Sequence, residues 1–148
     1  MKNNNCILVL DLGTSSFKCG AVSLGKNIIC KNSVPFNVIH EKQEWESDFA
    51  EAFVCAQKAL GMSAKEAQSA GFTVKSVLIT SQAQTFVPVD SNFKPLTKGI
   101  VWLDTRAKQE SMFLEQRLPE FPLTSGFSKP KAGLYISKLL WLKNNKTE

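Results

Sequence analysis

The stretch that decides the fold is Cys6-Ile7-Leu8-Val9-Leu10-Asp11-Leu12-Gly13-Thr14-Ser15-Ser16-Phe17-Lys18. Its first five residues form a nearly continuous apolar run, the pattern of a buried strand. An acid, a glycine and three hydroxyls follow within six residues, and a second apolar run starts at once. Such a turn suits a phosphate. Gly13 permits close backbone approach, and backbone N–H groups with the Thr14, Ser15 and Ser16 hydroxyls can donate to phosphate oxygens. A carboxylate facing bare phosphate would be repelled, so Asp11 is expected to hold a metal ion or its water shell. Lys18 adds a point charge from the second strand. The same residues also satisfy an ordinary hairpin, whose turn needs only Gly, Asp and Ser.

Working outward, residues 17–24 read as a second strand and 28–34 as a third, joined by Gly25-Lys26-Asn27 into an antiparallel meander. Residues 35–44 are a connection carrying the one histidine, His40, which is given no role. Trp45, Phe49, Ala52, Phe53, Ala56, Ala59 and Leu60 recur at helical spacing, so a helix is expected over 45–60 with Gly61 as its stop. Ser63-Ala64-Lys65-Glu66 matches a capping box and predicts a second, short helix to about Ala70, ended by Gly71. A β-branched strand over 74–80 follows, closing in Ser81-Gln82-Ala83-Gln84-Thr85. Extended structure resumes over 86–89, turns at Asp90-Ser91-Asn92, and leads to a short apolar strand over 99–103. Asp104 can cap a helix over 105–118 that Pro119 stops. After a connection over 119–129, Pro130 can open a last helix containing Leu134, Tyr135, Leu139, Leu140 and Leu142, and residues 144–148 read as a frayed polar end.

Bulk properties narrow the function. At 148 residues the chain can bury one real core and is about one domain long. The net charge of +5 is spread along the chain rather than clustered, so anionic small molecules suit it better than nucleic acid. Cys6, Cys19, Cys30 and Cys55 show no metal-type spacing and read as buried thiols in a reducing cytoplasm. The first five residues lead into an apolar run too short for a signal peptide, and no stretch approaches a membrane span. A cytosolic protein is expected.

Two further strand ends carry polar clusters, and ligand sites of α/β sheets gather at such ends. Gln82 and Gln84 offer amides suited to hydroxyl groups, and Arg106, beside Asp104, can orient a polyol or neutralise charge. Each has a plainer account: glutamines facing water, Asp104 as a helix cap only, Arg106 paired with Glu110 four residues on.

In order along the chain stand the Asp11-Gly13-Thr14 turn, Glu44-Trp45, the Ser81-Gln82 strand end, Trp102-Leu103-Asp104-Thr105-Arg106 and Lys138-Leu139-Leu140-Trp141-Leu142-Lys143. This layout resembles the N-terminal part of the FGGY carbohydrate kinases, relatives of glycerol kinase and xylulose kinase, over almost all 148 residues. The Asp11 turn alone is shared with actin, Hsp70-type chaperones and hexokinases; the Trp-x-Asp-x-Arg element is the more specific part.

The resemblance implies an α/β, ribonuclease-H-like fold of the actin/hexokinase ATPase type, with a mixed sheet, an antiparallel N-terminal meander and flanking helices, here incomplete. It implies that Asp11 serves Mg–ATP as the metal residue, that Gly13, Thr14, Ser15 and Lys18 serve the phosphates, and that Gln82, Ala83, Gln84, Asp104 and Arg106 lie near a sugar or polyol. The reaction would be transfer of the γ-phosphoryl group to a substrate hydroxyl, with positioning and charge stabilisation dominating. Glycerol kinases carry Arg-Glu where this chain has Ala83-Gln84, and xylulose kinases resemble Gly-Gln-Met-His where it has Ser81-Gln82-Ala83-Gln84; neither substrate is singled out. The catalytic aspartate is expected beyond Glu148, so residues 1–148 are read as the first part of domain I, inactive alone. A missing C-terminal half or a homo-oligomer are the macromolecular partners envisaged. A non-catalytic binding or assembly module of the same fold is the alternative, and another actin-like protein, such as a phosphatase or chaperone, the third.

Overall fold

The computed structural model describes residues 4–145, which divide into two compact units. The first unit comprises residues 4–38 and 48–82. Its sheet is built from β1 (Asn5–Leu12), β2 (Ser16–Ser23), β3 (Ile28–Pro35) and β6 (Thr73–Ser81), in the order β3-β2-β1-β6. The first three strands form the expected antiparallel meander, and β6 runs parallel to β1. The expectation of a mixed sheet therefore holds.

One helix, α1 (Phe49–Ser69), covers one face of this sheet. Its buried positions are Cys55, Ala59, Ser63 and Ala67, a seam spaced every four residues. Side chains this small let the helix approach the sheet closely, where Cys6, Leu8, Leu10, Phe17, Cys19 and Ala21 meet it in the core. Ser63 is buried without penalty because its hydroxyl donates to the Cys19 carbonyl at 2.8 Å and accepts from Asn32 Nδ2 at 3.1 Å. All four cysteines are free, and burial pushes the Cys6 and Cys19 thiols up, which makes them inert apolar fillers.

The expected pair of helices, 45–60 and 63–70, is instead this single helix. Asp48 caps it, accepting from the Glu51 N–H at 3.0 Å. Gly61 sits exposed in mid-helix and stops nothing. The true stop is Gly71, at φ +81°, in a Schellman arrangement: Phe72 N donates to Ala67 O and Gly71 N to Gln68 O. Periodicity misplaced the start because Trp45 happens to lie four residues before Phe49.

Trp45 belongs to a hairpin that takes up part of the expected connection over 35–44 and the first residues of the expected helix. In the second unit, residues 39–47 and 83–145, β4 (Ile39–Glu41) pairs with β5 (Glu44–Ser47) across a turn at Lys42, φ 54°. His40 lies directly opposite Trp45 and stacks on it with ring centroids 3.9 Å apart. The strand β7, only Gly99–Ile100, pairs with β5 to give the order β4-β5-β7. Three helices follow: α2 (Lys108–Arg117), α3 (Phe121–Ser125) and α4 (Tyr135–Asn145). Helix α3 was not foreseen in the Pro-rich connection, and α4 begins five residues after Pro130 rather than at it. Of the polar end expected to fray, Asn144 and Asn145 are helical and 146–148 lie outside the described residues, as do residues 1–3 at the other end. No helix among the described residues is long and apolar enough to cross a membrane.

Candidate active site

In the first unit the site begins with strand register. Leu8 and Leu10 are buried in the core with α1, so Asp11, one residue out of phase, projects from the opposite face of the sheet. Its direct cross-strand partners are Lys18 on β2 and Thr80 on β6, both exposed and on that same face. The Asp11 carboxylate is half-buried, and among the described residues no hydrogen bond or ion pair engages it. The strand runs two residues further than expected, through Asp11 to Leu12, so the acid is held by sheet hydrogen bonding rather than by a loop.

The turn beyond it closes tightly. A Cβ on Gly13 would stand 2.8 Å from the Ser16 carbonyl oxygen, a separation that side chains do not tolerate, so glycine is required there by steric approach. The Ser15 carbonyl accepts from Phe36 N at 3.0 Å, which ties the turn to the end of β3. The end of β6 ties it on the other side. Gln82 N donates to Leu12 O at 3.3 Å, and the Thr14 hydroxyl donates to Gln82 Oε1 at 2.7 Å. Gln82, expected to face a substrate, therefore has its side-chain oxygen on the Asp11 turn.

The second unit holds the other residues the sequence pointed to. Ala83 is exposed; Gln84 is half-buried with φ 63°. Asp104 is 0% exposed and its two oxygens are fully used. They accept from Trp45 N at 2.8 Å, Arg106 N at 3.0 Å, Arg106 Nε at 2.9–3.0 Å and Arg106 Nη2 at 2.7 Å. Arg106 also reaches Glu46 at 2.9 Å and Glu44 at 3.9 Å, and its guanidinium lies 5.0 Å from the centre of the Trp141 ring. Burial opposes the charge on Arg106, but its bonds to Asp104 and Glu46 outweigh that and hold its pKa above the ordinary value.

Asp104 is thus not the cap of α2, whose N-cap is Ala107 with no side-chain bond, and Arg106 does not pair with Glu110. The physical reason is burial: the Asp104 carboxylate finds a bidentate guanidinium and two backbone donors, a stronger set than a helix end offers. An open hollow of about 410 Å³ lies over this network, lined by Glu41, Lys42, Gln43, Glu44, Arg106 and Trp141. Trp102, in the same motif, is 45% exposed, and its backbone N–H donates to Thr85 Oγ1 at 2.9 Å.

One residue escaped the sequence reading. Lys138 on α4 is 0% exposed, and its ammonium donates to the Gln84 carbonyl at 3.1 Å and to the Val101 carbonyl at 2.8 Å. The signal was present: Leu134, Ser137, Lys138 and Trp141 stand at i, i+3, i+4 and i+7, which places a lysine on the helix's inward stripe.

The chain that places an acid on an inner strand beside a glycine-tight turn, and a buried Asp-x-Arg network after it, matches the FGGY family of carbohydrate kinases, N-terminal domain, over residues 6–148. The chain belongs to this family. It is 30% identical over 147 residues to a xylulose kinase of Staphylococcus epidermidis (strain RP62A) and 27% identical over 144 residues to a xylulose kinase of Lactococcus lactis, in each case over 96% of this chain and 28% of the relative. Among solved structures, the xylulose kinase of Rhodospirillum rubrum superposes with a TM-score of 0.89 at 21% identity, over 96% of this chain and 30% of that one. The FGGY kinase segment therefore has the expected actin/hexokinase-type fold, and it spans less than a third of the length of the curated relatives it matches.

Proposed function

We propose that this FGGY segment supplies the Mg–ATP turn and part of the sugar site of an ATP-dependent kinase acting on a sugar or polyol hydroxyl. The observation that carries the reading is the contrast between two acids. Asp104 is consumed by Arg106 and Trp45, whereas Asp11 projects from its strand unengaged among the described residues. Asp11 is then the metal residue. Among the described residues no group of three His, Cys, Asp or Glu side chains is placed to hold a metal ion. Asp11 with water and phosphate oxygens suits Mg²⁺, which keeps most of its ligands outside the protein. Bound there, Mg–ATP would supply the phosphoryl group and neutralise its developing charge.

The residues of this chain do the rest of the work assigned to them. Gly13, Thr14 and Ser15 present the tight turn to phosphate, and Lys18 stands beside Asp11 as a compensating cation. Ala83 and Gln84, with the exposed Trp102, form the edge offered to the sugar, while Asp104 and Arg106 spend their charges on each other, Trp45 N and Glu46 near it. Gln82 orients the Thr14 hydroxyl. The resemblance to the FGGY kinases puts the general base beyond Glu148, with residues 1–148 as the N-terminal part of domain I. The names of the sequence relatives make xylulose the first substrate to try, and four free thiols fit a cytoplasmic setting.

Titration calorimetry of Mg–ATP into the chain tests the turn: Asp11→Ala is expected to weaken binding at least tenfold, and unchanged affinity would remove Asp11 from the site. Sugar-dependent ATP consumption by the chain extended to the length of its relatives tests the reaction. A second reading, a non-catalytic binding or assembly module, is motivated by the short span relative to those kinases. Partner capture by Asp11→Ala as strong as by the unaltered chain, without Mg–ATP affinity in either, would favour it.

A further inference from the structure

Gln84 is a non-glycine residue in the left-handed region, φ 63°, a conformation that L-residues other than Asn and Asp seldom adopt unless their surroundings impose it. Three contacts impose it here, all from within the second unit. The Gln84 carbonyl accepts from the Lys138 ammonium at 3.1 Å, its side-chain Oε1 accepts from Tyr135 N at 2.8 Å, and Thr85 Oγ1 next to it accepts from Trp102 N at 2.9 Å. Tyr135 is the first residue of α4, so the Gln84 side chain serves one of the helix's unpaired N–H groups.

Among the described residues no carboxylate lies within salt-bridge distance of Lys138, although its side chain is wholly buried. A buried lysine without a counter-ion is costly, and both of its bonds go to backbone carbonyls, those of Gln84 and Val101. Those carbonyls belong to the two segments carrying the site's candidate residues: 83–85 on one side and 101–106 on the other. We propose that Lys138 is the positioning residue of this site, its buried ammonium holding Gln84 in the left-handed conformation and tying the strand end at 83–85 to Val101. The inference rests on the reading above that this edge faces the sugar, and it gives the buried lysine a role in setting where Gln84 and Trp102 are presented.

The cluster's electrostatics agree with that geometry. Burial lowers the Lys138 pKa to about 8, the Asp104 charge opposing and the Arg106 charge assisting the shift. The ammonium therefore begins to lose its proton in an accessible range, and the two carbonyls that accept from it will report the change.

The test is a nuclear magnetic resonance titration of the full chain, followed by amide exchange in variants. In the unaltered protein the Thr85 and Trp102 amides, each following a carbonyl bonded to Lys138, are expected to titrate with one shared midpoint near 8, and Lys138→Met to abolish it. Exchange at residues 84–86 should rise at least tenfold in Lys138→Met. In a Gln84→Gly background, where the left-handed conformation needs no support, the same change should raise it less than threefold. Separate midpoints in the unaltered protein, or an equal rise in both backgrounds, would overturn the clamp. The titration needs no variant to fold. Binding of xylulose or glycerol, measured separately, tests the sugar edge. A shared midpoint with no sugar binding would uphold the clamp and remove only the substrate reading.

Discussion

Replacing Asp104 by alanine probes the most heavily bonded group in the second unit. The carboxylate is 0% exposed and satisfies Trp45 N, Arg106 N and two guanidinium nitrogens at 2.7–3.0 Å. Its removal leaves a guanidinium whose side chain is only 8% exposed without its bidentate partner. Breaking a buried pair from one side costs about 3–5 kcal/mol, because an uncompensated charge stays inside. Glu46 remains on Nη2 at 2.9 Å, which puts the expectation at the lower end, about 3 kcal/mol. For a unit of this size, each kcal/mol moves Tm by about 4–8 °C, so a fall of roughly 12–24 °C is expected. Thermal and urea melts of the full chain, followed by circular dichroism and by Trp fluorescence, give the comparison. Glu44→Gln is the internal control: its side chain is 51% exposed and 3.9 Å from Arg106, so its loss should cost less than about 1 kcal/mol. The double change Asp104→Leu with Arg106→Met removes charge and counter-charge together and should recover part of the loss. A cost below about 1 kcal/mol for Asp104→Ala would refute the assignment of this motif to structure and return Asp104 to the list of groups free for substrate.

Three further outcomes follow from the same geometry. Gly61→Ala should raise stability by about 1 kcal/mol, since a Cβ there meets nothing within 4 Å and glycine in a helix interior is the poorer residue; a chemical melt reads it, and destabilisation would mean that the helix is broken there after all. Gly13→Ala should weaken Mg–ATP binding at least tenfold, because its Cβ would stand 2.8 Å from Ser16 O; calorimetry showing equal affinity would mean that the turn opens freely. For pH dependence, the Lys138 pKa is lowered in the fold, from 10.5 to about 8, so the unfolded chain holds more protons between those values. Its contribution to stability accordingly rises with pH through that window. Lys138→Met should flatten the rise in melts between pH 7.5 and 10, and an identical profile in both proteins would remove this group as its source.

The parts of the fold legible in the sequence are those whose information is local. Cys6 to Leu10 is apolar and followed by turn residues, and the hairpin at Gly25-Lys26-Asn27 names its own register, so the meander is found. The parallel partner β6 announces itself by β-branched content. What failed were competitions between signals. Trp45 fits the helical period, yet Asp48 offers the better cap, and the hairpin pairing His40 with Trp45 takes the tryptophan. Gly61 is a stop signal that lost to the four-residue seam running past it on the buried face. In the site, the residue types at Asp11, Gly13 and Arg106 were visible, but their partners were not. Asp104 and Trp45 are 59 positions apart, Lys138 and Gln84 are 54, and no local pattern encodes such pairings.

The last strand of the first unit has a consequence for how residues 1–148 behave in solution when taken alone. Val77, Leu78 and Ile79 on β6 are 44%, 54% and 66% exposed. Register puts Val77 and Ile79 on one face of the sheet and Leu78 on the other. β6 ends the strand order, so its outer row of amides and carbonyls is unmatched by another strand among the described residues. Sheets ordinarily protect such a border with charge, proline or a bulge; here, from Ser76 to Ser81, there is none of these on that side. Colloidal stability then becomes a function of concentration. Dilute, the strand is wetted and the chain stays dispersed; concentrated, like borders zip together by the same hydrogen bonding that joins β6 to β1. Light scattering against concentration would show the crossover, and a lysine in place of Leu78 should move it upward. If scattering stays flat to high concentration in the unaltered chain, the border is better guarded than its composition implies.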